Sequence, residues 1–324
     1  MRPFESFLAP QLSEYIDYRQ ALGYSVEPAR GFLLLFDRYL KETQADWSSL
    51  NPAFFLEMSA RLRMESRTVN RIVSTLRVFF RFLVRYGYIQ ENPLKDIPPL
   101  KENTIVPFVF SPEQIDRLLG FVCKRIRKTK RCFLPDFAHY LALVLLARCG
   151  MRISEPLRLK LQNYRRDDLT ISIERSKFKK DRLIPVPKAV AAEIENYLSV
   201  RGALRPNDTN PYLLAGRGEE PLTDEQIRYL FHRTLSRMGL RQPRRVIGNV
   251  NFSGPVPHSL RHSFAVNTLL RVKERGECAQ NALPILAVYM GHSDYKHTSV
   301  YLRVADAAAR QHLLDFALWQ RRKA

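Results

Sequence analysis

Five residues between positions 152 and 301 of this sequence have side chains that together can attack a phosphodiester without a metal ion. They are two arginines, two histidines and one tyrosine: Arg152, His258, Arg261, His292 and Tyr301. His258 and Arg261 are three positions apart, so on a helix they share one face. Tyr301 follows His292 by nine positions, across a turn predicted at residues 293–294.

The chemistry of phosphodiester attack explains why these residue types matter. The non-bridging oxygens repel nucleophiles, so a metal-free enzyme needs fixed cations, a nucleophile and an acid for the leaving oxygen. The planar guanidinium groups of Arg152 and Arg261 can each donate two hydrogen bonds to phosphoryl oxygens. His258 can hydrogen-bond the phosphate or carry the proton of the nucleophile. Glu155 either orients Arg152 or His258, or is a first-turn acid favoured by the helix dipole.

Tyr301 is the predicted nucleophile among 14 tyrosines. Tyr289 lies in an apolar helical pattern and is predicted to be a core residue, and Tyr295 falls within the turn. Attack by the Tyr301 phenolate would form a covalent 3′-phosphotyrosine and retain the bond energy, so we expect no cofactor and no metal site. His262 is expected to point away from the site as a hydrogen-bonded core histidine.

A basic loop is predicted between two short strands at residues 169–173 and 183–186. Lys177 in this loop is expected to reach the minor groove of DNA and to protonate the 5′ leaving oxygen. Lys179 and Lys180 are alternatives for that role and candidates for contact with the DNA backbone.

The charge of the chain favours a nucleic-acid partner. The net charge is +20, from 52 Lys and Arg against 32 Asp and Glu, although a merely basic globular protein is the alternative. A helix predicted at residues 66–86 carries apolar residues on one side and an acid-free stripe of arginines on the other. Such a stripe favours contact with DNA phosphates over a solvated surface. Its members are Arg67, Arg71, Arg77, Arg81 and Arg85.

The order of the predicted elements divides the chain in two. Residues 1–100 are predicted to be helical and to end in a proline-rich linker, and residues 101–324 form the second domain. The fold class is therefore mainly α with a small antiparallel β-sheet. The sequence shows no signal peptide, no apolar run long enough for a membrane span and no C-x-x-C pair, so we expect a cytoplasmic protein.

Three segments resemble the active-site signature of the tyrosine recombinases, the phage-integrase family. They are Gly150-Met151-Arg152, Pro257-His258-Ser259-Leu260-Arg261-His262, and Gly291-His292 with Tyr301. The resemblance implies a two-domain clamp on double-stranded DNA. Residues 1–100 would be a core DNA-binding (SAM-like) domain and residues 101–324 a catalytic domain with a C-terminal exchange helix.

The same resemblance implies site-specific recombination through a Holliday junction by a homotetramer, alone or with sister recombinases. In a bacterial protein of this kind, the reaction would serve integration, excision or transposition of a mobile element. A type IB topoisomerase, which shares the catalytic fold, is the alternative. The sequence departs from the family pattern at Phe178, where many members have glycine, and in the long segments 241–254 and 272–283.

Overall fold

A computed structural model describes residues 2–174, 181–292, 298–302 and 304. The chain separates into two compact units, Met1–Thr104 and Ile105–Ala324. Lys177, Lys179, Lys180 and the C-terminal exchange helix expected from the sequence lie outside the described residues. No helix in the described part of the chain combines the length and apolar character that a membrane span requires.

The described residues of the first unit form a helical bundle. Its α-helices are Ala9–Ala21 (α1), Glu27–Glu42 (α2), Pro52–Arg61 (α3) and Ser66–Arg85 (α4). Asn51 caps α3, because its side-chain oxygen accepts a hydrogen bond of 3.1 Å from the amide of Phe54, and Pro52 follows at the first helical position. The apolar face of α4 forms the centre of the core, and its fully buried members are Ile72, Leu76, Phe79, Phe80 and Leu83.

The arginine stripe of α4 is less uniform than the sequence suggested. Arg77 is half-buried and donates hydrogen bonds to the carbonyls of Leu94 (2.9 Å) and Ile97 (2.7 Å), so it fixes the segment that follows the helix. Arg67 forms an ion pair with Glu102 at 3.0 Å. This acidic partner lies outside α4, in the segment that follows the helix. Contact with DNA stays a prediction for the exposed members, which are Arg67, Arg71, Arg81 and Arg85.

The second unit is built around a central helix that is apolar on nearly every side. Its described α-helices are Pro112–Cys123 (α5), Lys130–Arg148 (α6), Ser154–Arg158 (α7), Lys188–Leu204 (α8), Asp224–Arg237 (α9), Pro257–Glu274 (α10) and Ala279–Met290 (α11). Helix α6 contacts α5, α8, α9 and α10, and its middle from Tyr140 to Ala147 is buried. A helix that is apolar all round belongs in a core. Residues 298–302 are also helical.

Two small three-stranded sheets complete this unit within the described residues, whereas the sequence predicted one sheet. The strands are Thr104–Val106 (β1), Tyr164–Arg165 (β2), Thr170–Ile173 (β3), Arg182–Pro185 (β4), Arg245–Ile247 (β5) and Val250–Phe252 (β6). The predicted pairing is confirmed, with Ile171 opposite Ile184 and Ile173 opposite Arg182. The second sheet has the order β1-β6-β5, and its strands β5 and β6 lie in the long segment 241–254. Its strands have three residues each and little burial, so they carry no alternating apolar signal.

Candidate active site

The ends of three helices meet at one point of the second unit and bring the predicted residues together. Helix α6 ends before Gly150, α10 begins at Pro257, and α11 ends before Gly291. Gly150 and Gly291 have positive φ angles of 58° and 63°, which suit glycine, and each turns the chain sharply after its helix. Arg152 and His292 follow these turns, and His258 and Arg261 lie on the first turns of α10.

Arg261 ties these helix ends together from the interior. Only 1% of its surface is exposed. One terminal nitrogen donates to the carbonyl of Gly150 at 2.7 Å, and the other donates to the carbonyl of Met290. Burial, and then the charge of Arg152, lower the pKa of Arg261 to about 10, so the guanidinium stays charged at neutral pH.

Glu155 is a buried carboxylate that holds two arginines. Its Oε1 accepts a hydrogen bond of 2.8 Å from Arg152 Nη1, and its Oε2 accepts one of 2.7 Å from the Arg152 amide. Arg152 Nη2 also donates to the carbonyl of Gly291 at 2.8 Å, so Glu155 orients Arg152 toward the end of α11. Burial raises the pKa of Glu155, but the hydrogen bonds and charge of Arg182, and then the Arg152 amide, outweigh it, and the net pKa is lowered.

Arg182 is a site residue that the sequence analysis missed. Its two terminal nitrogens donate to both oxygens of Glu155, at 3.0 and 2.7 Å, and its Nε donates to the carbonyl of Tyr289 at 2.9 Å. Its side chain is 6% exposed. In the sequence Arg182 closes a basic run, which predicts that it belongs to the loop between the two strands. Only the register that places it opposite Ile173 shows that it is part of the sheet.

His292 is held in a defined orientation beside Arg261. Its Nδ1 lies 2.8 Å from the hydroxyl of Thr298, and its Nε2 lies 3.4 Å from Arg261 Nη2. Its ring is stacked on that of Tyr301, with centroids 6.1 Å apart. Arginine has no acceptor, so Nε2 is the accepting nitrogen of His292 in this contact.

Tyr301 is buried within this cluster, with 4% of its surface exposed. Its hydroxyl lies 3.0 Å from Nδ1 of His262, so the expectation that His262 points away from the site is wrong. Burial raises the pKa of Tyr301, although the charges of Arg261 and Arg152 oppose the rise. At neutral pH the phenol is therefore protonated and needs a proton acceptor before it can act as a nucleophile.

His258 lies at the exposed edge of the cluster. Its ring packs edge-on against that of His262, with centroids 4.5 Å apart. Partial dehydration by its neighbours, and then the positive charges of Arg261 and Arg152, lower the pKa of His258. The ring is therefore neutral at neutral pH, and its position on the first turn of α10 leaves it accessible to a ligand.

Changing Glu155 to glutamine should destabilise the second unit. The variant leaves Arg152 and Arg182 without a buried counter-charge, so we expect the free energy of unfolding to fall by about 3 kcal/mol. Because the folded-state pKa of Glu155 lies below the ordinary value of 4.5, this contribution is present above that pH and is lost as the pH falls through the folded-state pKa. Urea unfolding at several pH values measures both effects.

The matched control for this prediction is Glu57, which pairs with Arg61 on the surface with both side chains more than half exposed. Glu57→Gln should change the free energy of unfolding by no more than about 0.5 kcal/mol. Equal losses in the two variants would contradict a special role for the buried carboxylate.

Gly150→Ala should also destabilise the second unit. A Cβ atom at this position would lie 2.4 Å from the ring of Phe264, and the positive φ is unfavourable for alanine. We expect a loss of about 2 kcal/mol in the free energy of unfolding. Gly23→Ala is the control for backbone strain alone, because its φ is 75° and no atom lies within 4 Å of the added Cβ. A similar loss in both variants would exclude the contact with Phe264 as a cause.

Comparison with known proteins decides the family. The model of the phage integrase family matches residues 109–308, which is more than half of the chain and includes every site residue described above. The chain belongs to the phage integrase family. This tyrosine recombinase is thus a member of a class of DNA strand-transferring enzymes.

Individual relatives extend this similarity over nearly the whole chain. Tyrosine recombinase XerA of Thermococcus kodakarensis is 29% identical over 302 residues, which cover 90% of both chains. Tyrosine recombinase XerD of Caulobacter vibrioides is 29% identical over 292 residues, 88% of this chain and 85% of the relative. Among solved structures, the Tn1549 transposon integrase in complex with a circular intermediate DNA has the same fold. Its TM-score is 0.65 at 18% identity, with 95% of this chain and 100% of that chain covered.

Proposed function

We propose that this recombinase cuts and rejoins double-stranded DNA at a specific site, with Tyr301 as the nucleophile. The observation that carries the proposal is the buried Tyr301 hydroxyl in a cluster that also contains Arg152, Arg261 and His292. Such a cluster supplies fixed positive charge where a phosphorane-like transition state would develop negative charge. It would do so without further reorganisation, because protein carbonyls and Glu155 already hold both arginines.

In the proposed reaction, Arg152 and Arg261 bind the non-bridging oxygens of the scissile phosphate, and His258 donates a hydrogen bond to the same group. The oxygen of Tyr301 forms a bond to phosphorus, and the bond from phosphorus to the 5′ oxygen breaks. Lys177 is proposed to protonate that oxygen. The product is a 3′-phosphotyrosine and a free 5′ hydroxyl, and attack by a 5′ hydroxyl from another strand reverses the chemistry.

The partner is proposed to be double-stranded DNA, bound by both units of the chain. The net charge of +20 and the exposed arginines of α4 in the first unit support this partner. We further propose that four copies act together on two synapsed sites and that the reaction serves a mobile element. The likeness in fold to the Tn1549 transposon integrase supports the second point. Lambda integrase, whose fold matches that of this chain with a TM-score of 0.63, is bound to its core site as a dimer.

Covalent trapping tests the proposal. DNA fragments that flank the gene are first screened for binding by gel shift. A bound fragment is then nicked near the cleavage position, so that the cut strand diffuses away and religation fails. Incubation in EDTA followed by a denaturing gel should give a DNA-linked protein band. An intact duplex pair should also yield exchanged strands. Bound DNA without any adduct would contradict the proposal, and relaxation of supercoils without strand exchange would favour a topoisomerase.

A further inference from the structure

The Tyr301 hydroxyl has a ring nitrogen of His262 as its hydrogen-bond partner. The distance from Oη to Nδ1 is 3.0 Å, and the two ring centroids are 5.5 Å apart. His262 lies on α10, four positions after His258 and one after Arg261, and is half-buried. A phenol within hydrogen-bond distance of an imidazole is the arrangement that general-base activation of a nucleophile requires.

We propose that His262 is a further catalytic residue, the general base that takes the proton of Tyr301 during DNA cleavage. The inference rests on the proposed function, in which Tyr301 is the nucleophile. As the Tyr301 oxygen bonds to phosphorus, its proton passes to Nδ1 of His262, and the 5′ oxygen leaves with a proton from Lys177. During rejoining, the His262 imidazolium returns its proton to the departing phenol, so the step balances in both directions.

The other two histidines of the cluster are less well placed for this task. His292 has its Nδ1 against Thr298 and its Nε2 against Arg261, so its ring is oriented toward the phosphate-binding arginine. His258 contacts the ring of His262 at the exposed edge of the cluster, where a phosphate would approach. The geometry thus separates the roles, with His258 and His292 beside the phosphate and His262 at the nucleophile.

The electrostatic surroundings of His262 make its basicity depend on the substrate. Burial, and then unfavourable electrostatic interactions with His258, Arg261 and His292, lower its pKa to about 3, so the free protein has a neutral ring that can accept a proton. Tyr301 faces the same ring from the segment after Thr298. A DNA phosphate would bring negative charge beside Arg261 and offset the positive charge of its guanidinium. The pKa of His262 should therefore rise when DNA binds, and the base should strengthen when the nucleophile is needed.

Single-turnover cleavage of two matched suicide substrates tests the assignment in the full-length protein. One substrate has the normal phosphodiester, and the other has sulfur in place of the bridging 5′ oxygen. Thiolate leaves without protonation, so the sulfur substrate bypasses the acid and reports only on attack by Tyr301. The variants are His262→Asn, whose amide accepts a hydrogen bond but takes no proton, His262→Ala and Lys177→Ala. DNA binding is measured in parallel by gel shift.

We expect His262→Asn to slow cleavage of both substrates by about 100-fold or more. Lys177→Ala should slow only the normal substrate. Below the pKa of the DNA-bound base, the wild-type rate on the sulfur substrate should fall tenfold per pH unit, and His262→Asn should lack this limb. Imidazole added to His262→Ala should restore part of the rate. If an asparagine variant fails to fold, the wild-type pH profile and the imidazole rescue still decide.

Three results would overturn the inference. The first is that His262→Asn cleaves the sulfur substrate as fast as the wild type or faster. The second is that sulfur substitution restores the cleavage rate that His262→Asn loses on the normal substrate. The third is that the wild-type rate on the sulfur substrate does not depend on pH. Failure of the proposed function would look different. In that case the adduct would persist in Tyr301→Phe, or no adduct would form with the wild-type protein, whatever residue stands at position 262.

Discussion

Tyr301→Phe should abolish the covalent protein–DNA adduct and strand transfer, while the protein folds and binds DNA as before. The substitution removes a single oxygen, and no other atom of the ring can form a bond to phosphorus. The phenylalanine ring fills the same space against Leu269, Leu286 and Met290 of the local core. The hydrogen bond to His262 is lost, which should change the free energy of unfolding by only about 1 kcal/mol. Denaturing gels of trapped complexes give the measurement.

Tyr289→Phe is the matched control for this prediction. Tyr289 lies in the same unit, and its hydroxyl donates a hydrogen bond of 3.2 Å to the carbonyl of Cys149. Its removal should lower stability by about 1 kcal/mol and leave adduct formation intact. An adduct that survives in Tyr301→Phe but disappears in Tyr289→Phe would show that Tyr289 on α11 is the nucleophile, and would contradict the proposed function.

The spacing of motifs was sufficient to predict that the five residues of the motifs lie together, because the helices that precede or carry them end or begin at recognisable signals. Gly150 and Gly291 terminate α6 and α11, and Pro257 begins α10. The strand pair β3 and β4 was also predictable, since its apolar residues alternate. By contrast, the sheet β1-β6-β5 pairs β1 with a strand far along the chain, and its three strands are short and mostly exposed, so the local sequence gives little signal of it.

Two residues of the site required the three-dimensional structure. Arg182 acts through long-range contacts to Glu155 and Tyr289, and its local sequence resembles a surface loop. The prediction for His262 was wrong because it used only the three-residue spacing from His258 to Arg261 to define the face of α10 at the site. The four-residue spacing from His258 to His262 also places two side chains on one helical face. That spacing is the sequence signal that could have placed His262 at the site.

Arg261→Lys should reduce the rate of DNA cleavage by about a thousandfold, although the charge is kept. The guanidinium can hold the carbonyls of Gly150 and Met290 and still present donors to a phosphate, because it has five N–H groups in a plane. An ammonium group has three donors around one nitrogen and cannot span these positions. A lysine in this interior position should also lower the free energy of unfolding by about 3 kcal/mol.

Arg201→Lys separates the catalytic effect from the loss of stability. Arg201 is likewise buried, with 5% of its surface exposed, and it binds Asp208 at 2.8 Å and the carbonyl of Tyr212 at 2.6 Å. Its replacement should destabilise the unit to a similar extent but change single-turnover cleavage less than about threefold at a temperature where both variants are folded. If the two variants lose activity equally, Arg261 has only a structural role, in which its hydrogen bonds hold the ends of α6 and α11 together. A loss confined to Arg261→Lys means that the same guanidinium also binds the phosphate in the transition state.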